Sequence, residues 1–305
     1  MTDIINKLSD RLLFAIPKKG RLHEQSLSLL KGADLNFHRR NRLDIALVQN
    51  FPIALVFLPA TDIPKYVAEG NIDLGITGQD EVAESGANDK IDEILELGFG
   101  KCELQVQVPV VGGATKVEEL VGKRIVTSFR SLVGKYFDEL DKKYLTEEQK
   151  QAGVKTKIKY VSGSVEAACT LGLGDGIVDL VESGKTMKTA GLHPVSTIIS
   201  SQAILICNKN PSNLSLVSKI TSRIKGVIAA QKYVLVNYNI QRIHLEEAIK
   251  ITPGRRAPAI SPLEDNNWVE VQSLVSKCEV AEIMDKLEEI GAKDILIHEI
   301  DNCRV

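Results

Sequence analysis

Two distant stretches of this chain repeat one pattern, Gly70-Asn-Ile-Asp73-Leu74-Gly-Ile-Thr77-Gly78-Gln-Asp80 and Gly176-Ile-Val-Asp179-Leu180-Val-Glu-Ser183-Gly184-Lys-Thr186. In each, a glycine stands three residues before Asp-Leu, and Ser/Thr-Gly follows after two more residues. A second echo lies upstream of each. Arg11-Leu-Leu-Phe-Ala-Ile16 and Arg124-Ile-Val-Thr127 both read as a strand running into a polar loop and then an amphipathic helix. Asp-Leu strand ends also recur by chance in α/β proteins. The echo alone does not exclude that alternative, but the two repeats together suggest two similar α/β lobes. Their strand-end loops would face one cleft, where open α/β sheets bind ligands.

Turn residues set the expected boundaries. Val111-Gly-Gly-Ala-Thr115 interrupts an apolar strand, and Asn208-Lys-Asn-Pro-Ser212 follows the strand Ala203–Cys207. The first lobe is therefore expected over 1–111 together with about 208–228, and the second over 112–207. Leu214, Val217, Ile220, Ile224 and Val227 fall at helical spacing, which predicts an amphipathic helix over 212–231. Residues 229–305 read as strand (Tyr233–Ile240), helix (Arg242–Ile251), a Thr252-Pro-Gly turn, strands at Pro258–Pro262 and Trp268–Val275, a helix, and a strand at Asp294–Ile300. Val280, Ile283, Met284, Leu287 and Ile290 make the apolar stripe of that last helix. This βαββαβ order predicts a ferredoxin-like unit, a common small-ligand sensor and oligomer contact.

Composition narrows the function classes. At 305 residues, 44% hydrophobic and 26% charged, the chain is long enough for two or three domains with real cores. A formal net charge of −2 disfavours a nucleic-acid scaffold or a membrane-surface protein, so any anionic ligand must be met by local charge. The amino terminus, MTDIINKLSDRLLFAI, has early acids and no uninterrupted apolar region, which predicts neither a secretory signal nor a membrane span and hence a cytoplasmic protein. Cys102, Cys169, Cys207, Cys278 and Cys303 form no Cys-x-x-Cys pair, so buried or partly buried free thiols are expected. The five histidines are scattered, and no Ser/His/Asp or Cys/His arrangement emerges. The charge run Glu139–Lys150 reads as a solvated helix face and lacks the glycine turn of a calcium loop.

Glu166–Met187 carries the chemistry. Gly176–Val181 predicts a short buried strand, and Ser183-Gly184-Lys185-Thr186 a turn opening a helix near Met187. Unpaired amides there, with two hydroxyls and a lysine, suit a phosphate, while Asp179 could hold a ribose hydroxyl or a magnesium-bound water. A Ser-Gly-x-Thr turn by itself fits an ordinary helix cap slightly better; the wider spacing shifts the balance. Glu166, Gly172, Gly174, Ile177, Asp179, Leu180, Ser183, Gly184, Thr186 and Met187 satisfy every specified position of a long pattern. The segment resembles the signature of the ATP phosphoribosyltransferase family. Ile16–Leu22, Asp73–Asp80, Leu97–Cys102 and Ile251–Gly254 are similar to that family's other landmarks, and the chain is closest to its long form.

The resemblance implies an α/β protein with two periplasmic-binding-protein-like lobes around a cleft and a C-terminal ferredoxin-like regulatory domain. It implies a glycosyltransferase that moves the phosphoribosyl group of phosphoribosyl pyrophosphate (PRPP) to N1 of ATP, with Mg2+ and feedback inhibition by histidine. Glu166 and Asp179 would be the catalytic carboxylates, and Asp179, Glu182, Ser183, Gly184, Lys185 and Thr186 would bind PRPP. Lys18, Gly20 and Arg21, on the cationic loop after the first strand, would contact nucleotide or pyrophosphate, bordered by Gln79 and Asp80. Asn239, Ala259, Leu274 and Asp294 would bind histidine. A homo-oligomer, dimer or hexamer, would assemble through the last domain. The alternative from another class is a two-lobe small-ligand binding protein without catalysis.

Overall fold

A computed structural model describes residues 8, 10–39 and 43–304, so most of the amino-terminal stretch read above lies outside the described residues. The chain divides into two compact units. The first runs to Leu214 but omits Leu27–Asn36, and the second consists of Leu27–Asn36 and the chain from Ser215 onward.

In chain order the first unit opens with β1 (Leu12–Pro17), the start of α1 (His23–Gly32), whose residues from Leu27 group with the second unit, then β2 (Ile45–Leu47), β3 (Ile53–Leu58), α2 (Ile63–Ala68), β4 (Leu74–Gly78), α3 (Gln79–Ser85) and β5 (Ile91–Glu96). It continues with β6 (Cys102–Pro109), β7 (Arg124–Thr127), α4 (Arg130–Tyr144), α5 (Glu147–Gln151), β8 (Lys157–Tyr160), α6 (Ala167–Thr170), β9 (Gly176–Val181), α7 (Lys185–Thr189), β10 (Leu192–Ser201) and β11 (Ala203–Asn208). Two sheets form, of order β2-β3-β1-β4-β11-β5 and β10-β6-β9-β7-β8. Their cores repeat one plan. β1 lies parallel between β3 and β4, as β7 lies parallel between β8 and β9. An antiparallel strand then follows on the far side, β11 against β4 and β6 against β9. The echoed segments thus occupy matching places, β4 in one lobe and β9 in the other.

The lobe boundaries differ from the expected ones. The chain crosses at Leu97–Lys101 and at Gln202, not after Val111 and Cys207, because β6 already belongs to the second sheet and β11 to the first. Each sheet needs an antiparallel strand beside its central parallel set, and the crossing segment supplies it. Sequence punctuation marked the strands' far ends instead. The crossing segments are also bonded to each other, with Ala203 N–H donating to Phe99 O at 2.9 Å.

The second unit holds α8 (Leu214–Lys232), β12 (Tyr233–Gln241), α9 (Leu245–Ile251), β13 (Ala259–Pro262), β14 (Trp268–Ser276), α10 (Val280–Glu289) and β15 (Lys293–Glu299). The four strands pair antiparallel in the order β13-β14-β12-β15, the ferredoxin-like arrangement. Val234, Val236, Tyr238, Val269, Val271 and Leu287 are buried in its core, with Val280, Ile283 and Ile290 of the predicted stripe packed against them. Helix α8 groups with this unit from Ser215 on, where the reading placed about 208–228 in the first lobe. The physical reason lies in its partners. Gly226 O accepts from Cys303 N–H at 3.3 Å, and Arg223 pairs with Asp34 at 3.1 Å. Leu214, counted in the apolar stripe, is 68% exposed because it only opens the helix.

Two smaller expectations change. Cys278 is exposed rather than buried. Within the charge run Glu139–Lys150, Asp141 is buried. Its carboxylate accepts from Thr156 N–H at 2.8 Å and from the Thr156 hydroxyl, tying α4 to the chain entering β8. Asp141→Ala leaves both Thr156 donors buried without a partner, and stability is expected to fall by about 2–4 kcal/mol in urea unfolding. A loss below about 0.5 kcal/mol, as at an ordinary surface position, would mean the two donors find water instead.

Candidate active site

The second lobe's half of the site is built at the end of β9. Alternation along the strand sends Val178 into the core shared with α4 and turns Asp179 to the opposite face. There Asp179 lines a cavity of about 300 Å³ together with Gln107, Glu166, Glu182, Ser183 and the residues through Met187. Glu166 stands at the N-cap position of the short helix α6, without a side-chain capping bond, and Asp179 lies within β9 two residues before its end, so two carboxylates from different elements share one space. Burial pushes the Asp179 carboxyl up and the charge of Glu166 adds to it, against a hydrogen bond from Leu180 N–H at 2.8 Å.

The turn that follows needs a glycine. Gly184 sits at φ +71°, in the left-handed region that L side chains avoid, and this reversal starts α7 directly after Ser183. Ser183, Lys185 and Thr186 are exposed and line the cavity with Glu182. All four predicted turn residues therefore join Glu166 and Asp179. Gln107 joins them without having been predicted. It is 2% exposed, and its amide donates to Asp179 O at 3.3 Å. The signal in the sequence was the alternation of Gln105 and Gln107 with Leu104, Val106 and Val108 along β6.

The first lobe's half is organised by Arg21, on the loop after β1. Its guanidinium donates to Asp80 at 3.3 and 3.4 Å and to the carbonyl of Gly100. Its Nε lies 3.8 Å from Glu182 of the second lobe. Asp80 is fully buried; its backbone N–H donates to the Ser201 hydroxyl at 3.0 Å, and that hydroxyl in turn donates to its carboxylate. Asp80 thus holds Arg21 from below instead of lining the cleft, as the reading had it. Nothing in the sequence marked Ser201, because its role comes from the crossing that brings β10 beside α3. Gln79, Lys101, Gln105, Glu182, Ser183 and Ser201 line a second cavity of about 620 Å³. The wall Val181–Gly184 is common to both cavities. Lys18 is not gathered in. Its ammonium pairs with Asp44 at 2.7 Å, both half-exposed, and holds the Asp44 carboxyl below its usual range. Gly20 takes φ +90° in the turn between them.

Among the described residues, no three His, Cys, Asp or Glu side chains converge as a metal-binding group. The Glu166 and Asp179 pair provides two hard oxygen ligands in one cavity, a set that fits a cation completed by ligand phosphates and water, as Mg2+ prefers.

In the second unit, Asn239 of β12 pairs with Glu270, Leu274 with Leu235, and Ala259 with Gln272. By strand alternation these positions share the sheet face opposite the helix-covered core. Asp294, the second residue of β15, sits at φ +50° and accepts from the Asn239 amide at 2.9 Å. Leu274 also borders a cavity of about 750 Å³ with Tyr233, Thr252, Arg255, Ser276 and Lys286.

A sequence profile described as ATP phosphoribosyltransferase matches residues 59–226, and one described as HisG, C-terminal domain, matches residues 230–302. The ATP phosphoribosyltransferase of Schizosaccharomyces pombe is 55% identical over 308 residues, covering 99% of each chain. That of Saccharomyces cerevisiae is 54% identical over 304 residues, covering 99% of this chain and 100% of its own. Among solved structures, the ATP phosphoribosyl transferase (HisG:HisZ) complex from Thermotoga maritima aligns with a TM-score of 0.55 at 25% identity, over 70% of this chain and 98% of that one.

One carboxyl beside the cleft titrates near neutrality. Burial, with the Asp80 charge second, pushes Glu81 up to about 7, against the opposing pull of Arg21. A raised carboxyl favours the protonated folded state, so its contribution is intact below the unfolded value of about 4.5 and is lost as pH rises through about 7. Glu81→Gln is expected to match the wild-type melting temperature near pH 4 and to exceed it increasingly up to about pH 8. A constant difference across that window would show that Glu81 ionises at its ordinary value.

Proposed function

The chain belongs to the ATP phosphoribosyltransferase family, and from that membership we propose how its residues perform the transfer of the phosphoribosyl group of PRPP to N1 of ATP. Pyrophosphate is released, and the product is the first intermediate of histidine biosynthesis. The observation that carries the reading is the convergence of Glu166, Asp179 and the Ser183–Thr186 turn on one cavity.

Adenine N1 is itself the nucleophile, so the protein supplies no covalent partner. It has to hold two substrates in line and stabilise positive charge growing on the sugar. The turn of Ser183, Gly184, Lys185 and Thr186 takes the 5′-phosphate through its amides, hydroxyls and ammonium group. Asp179 and Glu166 accept hydrogen bonds from the ribose hydroxyls, and their charge favours the oxocarbenium-like transition state. Arg21, held by Asp80, faces pyrophosphate or the nucleotide phosphates, with Gln79 in the adjoining cavity and Glu182 at the shared wall. Lys18 joins them by releasing Asp44, an exchange that two exposed side chains make at little cost.

The family uses a metal ion, and Mg2+ fits this donor set. Bound with the substrate phosphates, it would neutralise the departing pyrophosphate while Glu166 and Asp179 supply oxygen ligands. The second unit binds histidine as an inhibitor on the sheet face of Asn239, Ala259 and Leu274, with Asp294 accepting the ammonium group. The same face carries Leu296, which is 54% exposed, and provides the contact for a homo-oligomer, dimer or hexamer. No described helix is long and apolar enough to cross a membrane; a cytoplasmic location is part of this proposal.

Two measurements test this. With ATP, PRPP, Mg2+ and pyrophosphatase, the near-ultraviolet absorbance change that accompanies ribosylation of adenine should appear with wild type. It should slow by about a hundredfold in Asp179→Asn or Glu166→Gln at unchanged circular dichroism. Normal turnover in both variants would overturn the ribose assignment. Asp294→Ala is expected to raise the histidine concentration for half-inhibition by about tenfold, the worth of one charged contact, whereas an unchanged value would remove Asp294 from the histidine site.

A further inference from the structure

We propose that Glu84 is a positioning residue that sets the closed geometry of the cleft by capping a helix of the opposite lobe. Glu84 lies in the last turn of α3, whose first turn carries Gln79 and Asp80. Its two carboxylate oxygens accept from Ser131 N–H at 2.8 Å and Leu132 N–H at 2.9 Å. Those amides open α4, a helix of 15 residues in the second lobe.

A helix that begins in the ordinary way draws its cap from its own chain. Here the cap position is Phe129, whose side chain offers no acceptor and is buried in the second lobe's core. The first amides of α4 would otherwise lack partners at the positive end of the helix. A carboxylate from the other lobe meets two of them at once. Because donor and acceptor belong to different lobes, this cap exists in only one placement of the lobes.

That placement is the one the site needs. The loop before α4 is bound to β9, with the Thr127 hydroxyl donating to Val178 O at 2.8 Å and Phe129 N–H donating to the Thr127 hydroxyl at 3.0 Å. Val178 immediately precedes Asp179. Helix α3 therefore runs from the Asp80–Arg21 pair of one half-site to a cap that sits, through this loop, beside the ribose carboxylate of the other. Arg21 and Glu182, 3.8 Å apart, cross the same cleft, with Glu182 exposed where Glu84 is partly buried. Glu84 itself lines neither cavity. Its effect passes through the distance between half-sites.

The inference rests on the reading of this cleft as the place where PRPP and ATP meet. When only the closed arrangement holds both substrates, apparent affinity scales with the closed fraction. The test measures KM for each substrate and kcat on the full chain for wild type, Glu84→Gln, Glu84→Ala and Thr146→Ala. Thr146 caps α5 within the second lobe alone, accepting from Gln149 N–H at 3.3 Å, so it controls for loss of a cap as such. In Glu84→Ala both KM values are expected to rise about five- to tenfold with kcat within about twofold, and in Glu84→Gln, which keeps one neutral acceptor, by less. Thr146→Ala should melt earlier with both KM values unchanged. Unchanged KM values in the Glu84 variants, or an equal rise in Thr146→Ala, overturn the proposal. A wild type without turnover would overturn the functional reading instead.

Discussion

The active cleft depends on a carboxylate that never sees it. Asp80 is completely buried, and a buried charge left alone would cost the fold several kcal/mol. It is met by Arg21 from the loop after β1 and by the Ser201 hydroxyl from the end of β10, so three segments far apart in sequence settle around one ion. Removing any one partner strands the others. The same arrangement holds the Arg21 guanidinium with its Nε 3.8 Å from Glu182 of the second lobe. A flexible, solvated arginine would lose far more freedom on meeting a phosphate.

The repeated Ser/Thr-Gly element serves two different physical ends in its two copies. At Gly184 the requirement is a backbone at φ +71°, which bends the chain so that Ser183 and Thr186 reach the same cavity. At Gly78 the backbone is extended, and the requirement is space: an added Cβ would collide with the Asp80 carboxylate and crowd Arg21. One copy turns the chain along a cavity wall and the other makes room for the Arg21–Asp80 ion pair. The two lobes descend to one cleft by matching topology, while their chemistry has divided.

Much of this was legible in the residues. Strand β9 appeared with its expected bounds, because a short apolar run ending in glycine and hydroxyl residues leaves few alternatives, while the helix after it begins at Lys185, two residues before the expected Met187, once Gly184 has reversed the chain. The ferredoxin-like order was read within a residue or two at each strand for the same reason. The lobe crossings were misplaced because an apolar strand's membership in one sheet or the other depends on its neighbours, and glycines mark only where strands end. Asp141 was read as solvated because its neighbours along the helix are; its burial follows from the chain that packs over it at Thr156.

By itself, the sequence carried the two-lobed plan and the proposal of Glu166, Asp179 and the Ser183–Thr186 turn as a phosphate-and-ribose site, since each is a local pattern whose chemistry is carried by adjacent side chains. Only the tertiary structure decided that Asp80 supports rather than contacts, that Ser201 and Gln107 belong to the site, and that Glu84 caps a helix in the other lobe. Those roles arise where the chain crosses between sheets. A residue there acquires its partner from a segment that no spacing along the chain can indicate, because hydrogen bonds and ion pairs act over a few ångströms of space, whatever the separation in sequence.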